Sequence, residues 1–597
     1  MELLNLDGVI EKGVFEIPSY QRGYAWQKEQ LDDFWNDLEH VYKLGNQFHY
    51  MHSLTLRELE NELEDSAFEI IDGQQRLATS LILLGLLAKI TQNKDPKYSL
   101  INLEPILSYK YYGLSEAFRA IMEEKDLERF QTSFYAKNLI DAYAFFKEKI
   151  SDTPVGTLEK MFDALTKKML FSVVELNDNR IDPFSSFETI NNRGKDLSTL
   201  ELLKNRLHFV AHKICDEEDL ENLQQEINDT YTRIYHDLRF FKDDHLESFL
   251  KHFVAYYYGE KRDFKERLLN TAFDAHKKYD DLYDEYEKIN DLLLHLSYSS
   301  KVWYFLHTID DEELRIEITP KMRGLLDKMR RLNALSENAF LPLLLSLLTI
   351  QLAVRSGSER HYTTKELEDL LEYLERFGFL IYGVADGKNT AKNEWIELAF
   401  QAIQACRFWK DKITIEDLPT LEKSFFNRQG NSALELLEES IHSKKNTEKW
   451  YQWGKALNYL LYEYELYHNP ETTLNFDSSI ESIEHILPQK PDQGYNAKEK
   501  SWAKNPHIVH ALGNLLLIPK NANSSLNNKP FEEKRKQYLK GSYSEKEVAK
   551  NASFGIVEIQ KRSEKLLDFL IVRYRIAELV GESAIKAFKN ALLKDIE

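Results

Sequence analysis

A histidine beside a carboxylate, at the end of a short strand, is where the sequence first offers chemistry. Residues 480–488 read IESIEHILP, an extended run stopped by proline, with Glu484 and His485 near its end. Asn514 follows 29 residues after His485, within Gly513-Asn514-Leu515, and Asn523 lies nine residues further on. A neutral histidine can take the proton of a water that attacks a phosphodiester. A divalent ion held by oxygen donors stabilises the charge built up in that attack and on the leaving oxygen. Glu484 and Asn523 are oxygen donors suited to Mg²⁺ or Mn²⁺. Asn514 is expected to hold the histidine-bearing loop and to orient the imidazole. Lys520, Lys529, Lys534, Arg535 and Lys536 cluster around the last loop and helix and are expected to neutralise DNA phosphates. A solvated helix face, offset by Glu532 and Glu533, would use the same residues. His507 and His510 read as loop histidines with no role. A Glu-His pair alone is commonplace; the spaced asparagines and the polar stretch NSSLNNKPFEEKRKQY make it a candidate site.

A second constellation lies near the other end. In FEIIDGQQRLATSLILLGLLAKI an apolar strand ends at Asp72, a turn follows at Gly73, Gln74 and Gln75, and Arg76 opens a helix packed by Leu77, Leu81, Leu84 and Leu87. Such a strand–turn–helix gathers backbone N–H groups and the positive helix end at one point, a cradle for phosphate. Arg76 offers a planar donor fork for phosphate oxygens, and Asp72 is the candidate to hold a metal ion or position a water. Upstream, Tyr20, Gln21 and Arg22 sit with Tyr24 and Trp26, a mixture suited to stacking on a base and bonding to it. Downstream, Asn191, Asn192 and Arg193 lie in a polar loop before a capping box, Ser198 with Glu201. An ordinary turn, core aromatics and a well-capped loop would account for each piece taken singly.

The elements that must position these residues follow from the pattern. Val14–Pro18, Phe68–Ile71 and Leu170–Leu176 read as strands, and Lys28–Leu44 as an amphipathic helix. Thr363 caps a helix whose apolar face runs from Leu367 to Phe377, with Gly378 as its stop. From about 215 to 445 the pattern is helical and carries no chemistry-bearing spacing. The polar stretch after Leu515–Ile518 reads as a loop entering a helix.

The chain has 597 residues, 43% hydrophobic and 29% charged, enough for about three domains of a globular protein. Two cysteines, Cys215 and Cys406, make no disulfide framework, and a reducing cytoplasm is the simple setting. No signal peptide is apparent. The apolar runs Leu77–Ile90 and Ala339–Val354 are too short or too interrupted to span a bilayer, so no membrane is expected. The net charge of −20 argues against a general coating of nucleic-acid contacts. Residues 481–540 nevertheless carry a local +4, leaving −24 on the rest.

IPSYQRGYAW, IIDGQQRLATS and FETINNRGKDLSTLELLKNRL, in this order over about 190 residues, resemble the N-terminal domain of the GmrSD family. These are modification-dependent (type IV) restriction enzymes of bacteria. One departure is Tyr50-Met51-His52-Ser53-Leu54, where the family pattern has a glycine-containing step. Residues from about 470 to 575 resemble the family's C-terminal nuclease domain, of the ββα-metal (HNH) kind. The resemblance implies a mainly α chain with α+β ends. It would comprise a ParB/sulfiredoxin-like nucleotide-binding NTPase domain (1–215), a helical coupling domain (216–445) and an HNH nuclease domain (446–597). It further implies GTP or another NTP, Mg²⁺ or Mn²⁺, and double-stranded, modified phage DNA. A homodimer is one possible assembly. The alternatives are a related defence nuclease that senses phosphorothioates or nicks DNA, and a nucleotide-gated DNA-binding protein with an inert nuclease site.

Overall fold

The computed structural model describes residues 2–596 except 19–20, 22, 46–47, 60–65, 92–105, 111–112, 124, 126, 177–197, 262, 275–276, 280, 311–313, 315, 354–360, 409–410, 428, 473–479 and 492–493. The chain is mainly helical and divides into two compact units, Met1–Phe305 and Leu306–Glu597. The stretch from 306 to 445 therefore belongs to the same unit as the Glu484-His485 segment.

Among the described residues the first unit holds six strands: β1 (Glu2–Asn5), β2 (Val14–Ile17), β3 (His49–Leu59), β4 (Ala67–Asp72), β5 (Leu107–Tyr109) and β6 (Met169–Glu175). They form one mixed sheet in the order β1-β6-β3-β4-β2-β5, and the three strands expected from sequence are β2, β4 and β6. The helix Lys28–Leu44 buries Leu31, Phe34, Trp35, Leu38 and Val41, the stripe its spacing predicts. Helix Gln74–Ile90 is buried almost all round and packs against helices Phe134–Ser151 and Val155–Lys167. That accounts for its apolar composition without a membrane. Among the described residues no helix is long and apolar enough to cross one.

Strand β3 slips register between Tyr50 and Ser53 against β6, and His52 sits there at φ +64°. A left-handed backbone favours glycine, and here the residue that adopts it is histidine.

In the second unit, Thr363 and Glu366 form the expected capping box on helix Thr364–Phe377. Gly378 is not a stop. It stays helical, and a π-helical turn runs on from Gly378 to Val384. The glycine serves packing: a Cβ there would meet the Phe340 ring at 3.0 Å and Leu332 at 3.2 Å. Strands β7 (Glu481–His485) and β8 (Leu515–Pro519) pair antiparallel, and helix Lys520–Leu526 packs on both. The expected loop after β8 is thus helix from its first residue.

Helix Ile556–Arg573 backs this hairpin. Arg562 donates to the carbonyls of Gly513 (2.9 Å) and Leu515 (2.7 Å). A Cβ on Gly513 would meet the Ile559 carbonyl oxygen at 2.0 Å, so only glycine lets the turn before β8 lie this close to the helix. At the far end of the same helix, Arg573 bridges two buried carboxylates, Glu375 at 3.2 Å and Glu463 at 3.1 Å. Burial raises the Glu375 pKa, and the nearby Glu463 charge adds to the effect.

Candidate functional site

The β7–β8 register sets His485 opposite Leu515, so Asn514 lies at the mouth of the hairpin. Asn514 is fully buried. Its Oδ1 accepts from the Leu487 N–H (2.7 Å), and its Nδ2 donates to the carbonyls of Leu487 (2.9 Å) and Val509 (2.7 Å). It braces the loop that follows His485. It does not orient the imidazole directly, because these side-chain bonds end on backbone.

The imidazole has another partner. His485 Nε2 lies 3.0 Å from Nδ1 of His510, a residue the sequence left without a role. Both rings are buried, and Tyr451 lies against them, its centroid 5.0 Å from His485 and 5.8 Å from His510. The Gln489 amide nitrogen approaches both ring nitrogens of His485 at 3.4 Å. Burial, reinforced by His510 and the Lys534 charge, pushes His485 down to about 3. The ring is therefore neutral around pH 7, as a proton acceptor must be. The signal for His510 was its position just ahead of the Gly-Asn-Leu segment that pairs with the His485 strand.

Lys534 does not face DNA, contrary to expectation. It is fully buried and forms an ion pair with Glu484, Nζ to Oε1 at 2.5 Å. It also donates to the carbonyls of His485 (2.8 Å) and Ile486 (3.3 Å). The Tyr538 hydroxyl donates to the same Glu484 oxygen at 3.2 Å. Burial pushes the Glu484 carboxyl up and the Lys534 ammonium down, each opposed by the charge of its partner. Arg535 is half-buried, with Nε bonded to the Ala549 carbonyl at 2.7 Å. Lys520, Lys529 and Lys536 are exposed.

Glu484, His485 and Asn523 line one open pocket of about 540 Å³, with Ser482, Gln489, Lys490 and Lys520 around it. Asn523 is fixed there through Nδ2, which donates to Ser482 Oγ (2.7 Å) and the Ile483 carbonyl (3.1 Å). Among the described residues no three His, Cys, Asp or Glu side chains come together to hold a metal ion. A carboxylate and a carboxamide in an open pocket fit instead an ion such as Mg²⁺, which keeps waters and takes other ligands from substrate phosphate.

In the first unit, Gly73 has φ +103° between β4 and helix Gln74–Ile90, and a Cβ there would meet the Ser53 carbonyl oxygen at 3.0 Å. Asp72 Oδ2 accepts from Ser53 Oγ and from Arg76 Nη2, both at 3.1 Å. Arg76 Nη1 donates to the Met51 carbonyl at 2.8 Å. The β3 irregularity around His52 thus presents Met51 and Ser53 to the Asp72–Arg76 pair, which stays partly exposed.

Several expected nucleotide contacts are instead internal braces. Gln21 is buried and donates to the carbonyls of Ile70 and Ile71. Gln75 is buried, accepts from the Ala25 N–H (2.9 Å) and donates to the Gly23 carbonyl (3.1 Å). Gln74 is buried as well. Tyr24 is no stacking platform: its ring is fully buried and its hydroxyl meets Thr79 Oγ1 at 2.6 Å. These bonds sew Gln21 and Gly23–Ala25 onto the end of β4 and the first turns of helix Gln74–Ile90. Tyr20, Arg22, Asn191 and Arg193 lie outside the described residues.

The family model for the GmrSD restriction endonuclease N-terminal domain matches residues 3–208, and that for the C-terminal domain of GmrSD restriction endonucleases matches residues 437–569. Each match contains one of the two constellations, and together they span more than half of the chain. The class is therefore that of restriction endonucleases, enzymes that cut DNA. Within it, the chain belongs to the GmrSD family. No curated protein matches the chain.

Proposed function

We propose that the pocket between β7 and helix Lys520–Leu526 hydrolyses DNA phosphodiesters, and that the first unit binds and hydrolyses a nucleoside triphosphate that controls this cleavage. The observation that carries the reading is the convergence of Glu484, His485 and Asn523 on one pocket rimmed by Lys490 and Lys520. Two antiparallel strands followed by a helix packed on both support the HNH assignment, and the Asp72–Arg76 turn supports a ParB-like phosphate cradle.

In this reading His485 takes a proton from water, and the resulting hydroxide attacks phosphorus. Lys520 and Lys490 hold the substrate backbone. Glu484 and Asn523 would hold Mg²⁺ or Mn²⁺, which supplies charge stabilisation at the phosphate and the leaving oxygen. Arg76 grips triphosphate oxygens directly, and Asp72 would hold a metal ion or position a water there. The substrate is modified phage DNA, and the setting is bacterial defence in the cytoplasm.

Incubating the full chain with modified and unmodified phage DNA, with Mg²⁺ or Mn²⁺ and with or without GTP and ATP, tests the reading. Metal-dependent cleavage that His485→Ala lowers by about 10²–10⁴-fold is the expected result. Cleavage by that variant at the wild-type rate removes the assignment.

A further inference from the structure

We propose that His510 is a positioning residue for the cleavage reaction. Through the Nε2–Nδ1 bond it holds His485 in the tautomer whose Nδ1, beside the Gln489 amide nitrogen at 3.4 Å, keeps the lone pair that takes the proton of the attacking water. The proposal rests on the reading of His485 as the base.

A neutral imidazole carries one N–H and one lone pair, and the bond made by one nitrogen decides which role falls to the other. The 3.0 Å contact between His485 Nε2 and His510 Nδ1 holds one proton between two nitrogens. If the proton belonged to His510, His485 would carry its own on Nδ1 and could not act as a base there. If it belongs to His485, Nδ1 keeps a lone pair.

The geometry around the pair is built rather than incidental. His510 follows the short helix Pro506–Val509, and its N–H donates to the Pro506 carbonyl at 3.1 Å. The Asn514 amide that holds Leu487, two residues after His485, also holds the carbonyl of Val509, one residue before His510. One buried side chain thus fixes the backbone on both sides of the imidazole pair, and Tyr451 lies against both rings.

In the step proposed, a water O–H bond breaks, its proton goes to His485 Nδ1, and the oxygen electron pair forms the bond to phosphorus. The bond to the leaving oxygen breaks with its electron pair. His485 becomes an imidazolium that still donates from Nε2 to His510, so the ring keeps its orientation through the step.

The test compares His510→Leu, which removes the acceptor, with His510→Asn, which keeps a polar group near the Nδ1 position. With the full chain, the modified phage DNA that the wild type cuts, Mg²⁺ and nucleotide, His510→Leu is expected to lower kcat about 10- to 100-fold with KM unchanged. His510→Asn should recover most of that loss. In a His485→Ala background, His510→Leu should add no further loss. Selective ¹⁵N-histidine spectra without metal or DNA give a second readout: His485 should be protonated at Nε2 in the wild type and tautomerically mixed in His510→Leu. Equal losses in the Leu and Asn variants, an additive loss in the double variant, or an unchanged His485 tautomer would each overturn the proposal. So would wild-type cleavage by His510→Leu beside an inactive His485→Ala, and that result would leave the nuclease reading intact. Full cleavage by His485→Ala would sink the nuclease reading itself.

Discussion

Lys534 and Glu484, fifty residues apart in sequence, form a buried ion pair with Nζ and Oε1 separated by 2.5 Å. The ammonium also caps the carbonyls that follow Glu484 in the chain, so one lysine ties helix Phe531–Tyr538 to the end of β7. Removing it leaves a buried carboxylate without its counter-charge, a loss that typically costs ~3–5 kcal/mol. Lys534→Ala should therefore lower the melting temperature of the second unit steeply. Lys520→Ala and Lys536→Ala should leave stability unchanged and each reduce the slope of log K against log salt for DNA by about 0.9. Salt titrations and thermal melts of the three variants check this. A lower slope with intact stability for Lys534→Ala would return that lysine to the DNA surface.

The first unit separates a brace from a ligand contact. Gln75→Ala strands the Ala25 N–H and the Gly23 carbonyl in the core, at ~1–3 kcal/mol for an unmade buried bond. It should lower thermal stability. Arg76→Ala also gives up its bonds to Asp72 and the Met51 carbonyl, so it should lower melting modestly, and it should weaken nucleotide binding about ten- to a hundredfold, the worth of charge-assisted bonds to phosphate. Nucleotide titrations and melts of both variants decide it. If Arg76→Ala binds GTP and ATP as the wild type does, the cradle is not a phosphate site.

His52 at φ +64° makes a narrower prediction. His52→Gly should be tolerated within about 1 kcal/mol, because the relieved left-handed strain offsets the extra freedom of glycine in the unfolded chain. His52→Val should destabilise by more, since a β-branched residue is a true outlier in that region. Denaturant melts of the pair settle the order, and equal stabilities would argue against a held left-handed step.

The depressed His485 pKa gives a pH signature. Its folded value of about 3 lies below the ordinary 6.5, so the unfolded chain binds the extra proton first as pH falls. The contribution is complete above pH 6.5 and is lost between there and about 3. His485→Gln has no such loss. Its stability relative to wild type should rise as pH drops from 7 to 5, by up to about 1.4 kcal/mol per unit. Parallel melts across that range test it, and a flat difference would mean that the ring charges readily in the fold.

Periodicity and caps made much of the architecture legible. The stripe Leu31-Phe34-Trp35-Leu38-Val41, the Thr363 box and the proline-stopped extended run through His485 all carry their meaning locally. What stayed hidden depends on partners far along the chain. Gly378 reads as a stop until the Phe340 ring is set beside it. Lys534 sits in a charged run and reads as surface, yet it lies three residues after Phe531 and four before Tyr538, on that helix's inward face. His510 gains a role only when Asn514 draws Val509 and Leu487 together. Gln21 and Gln75 have the right chemistry for a ligand, and long-range folding spends that chemistry on backbone.

The helix Ile556–Arg573 grips the GNL segment through Arg562 and the Glu375–Glu463 pair through Arg573, eleven residues apart. Those anchors are about three turns and 16 Å apart along one axis. The helix is in effect a keyed shaft whose two teeth keep a fixed angular phase. Inserting or deleting a single residue between them would turn one tooth by about 100° against the other. Both couplings could not then engage at once, even with every side chain at either end intact. Spacing within this segment is therefore constrained as tightly as the identity of the arginines.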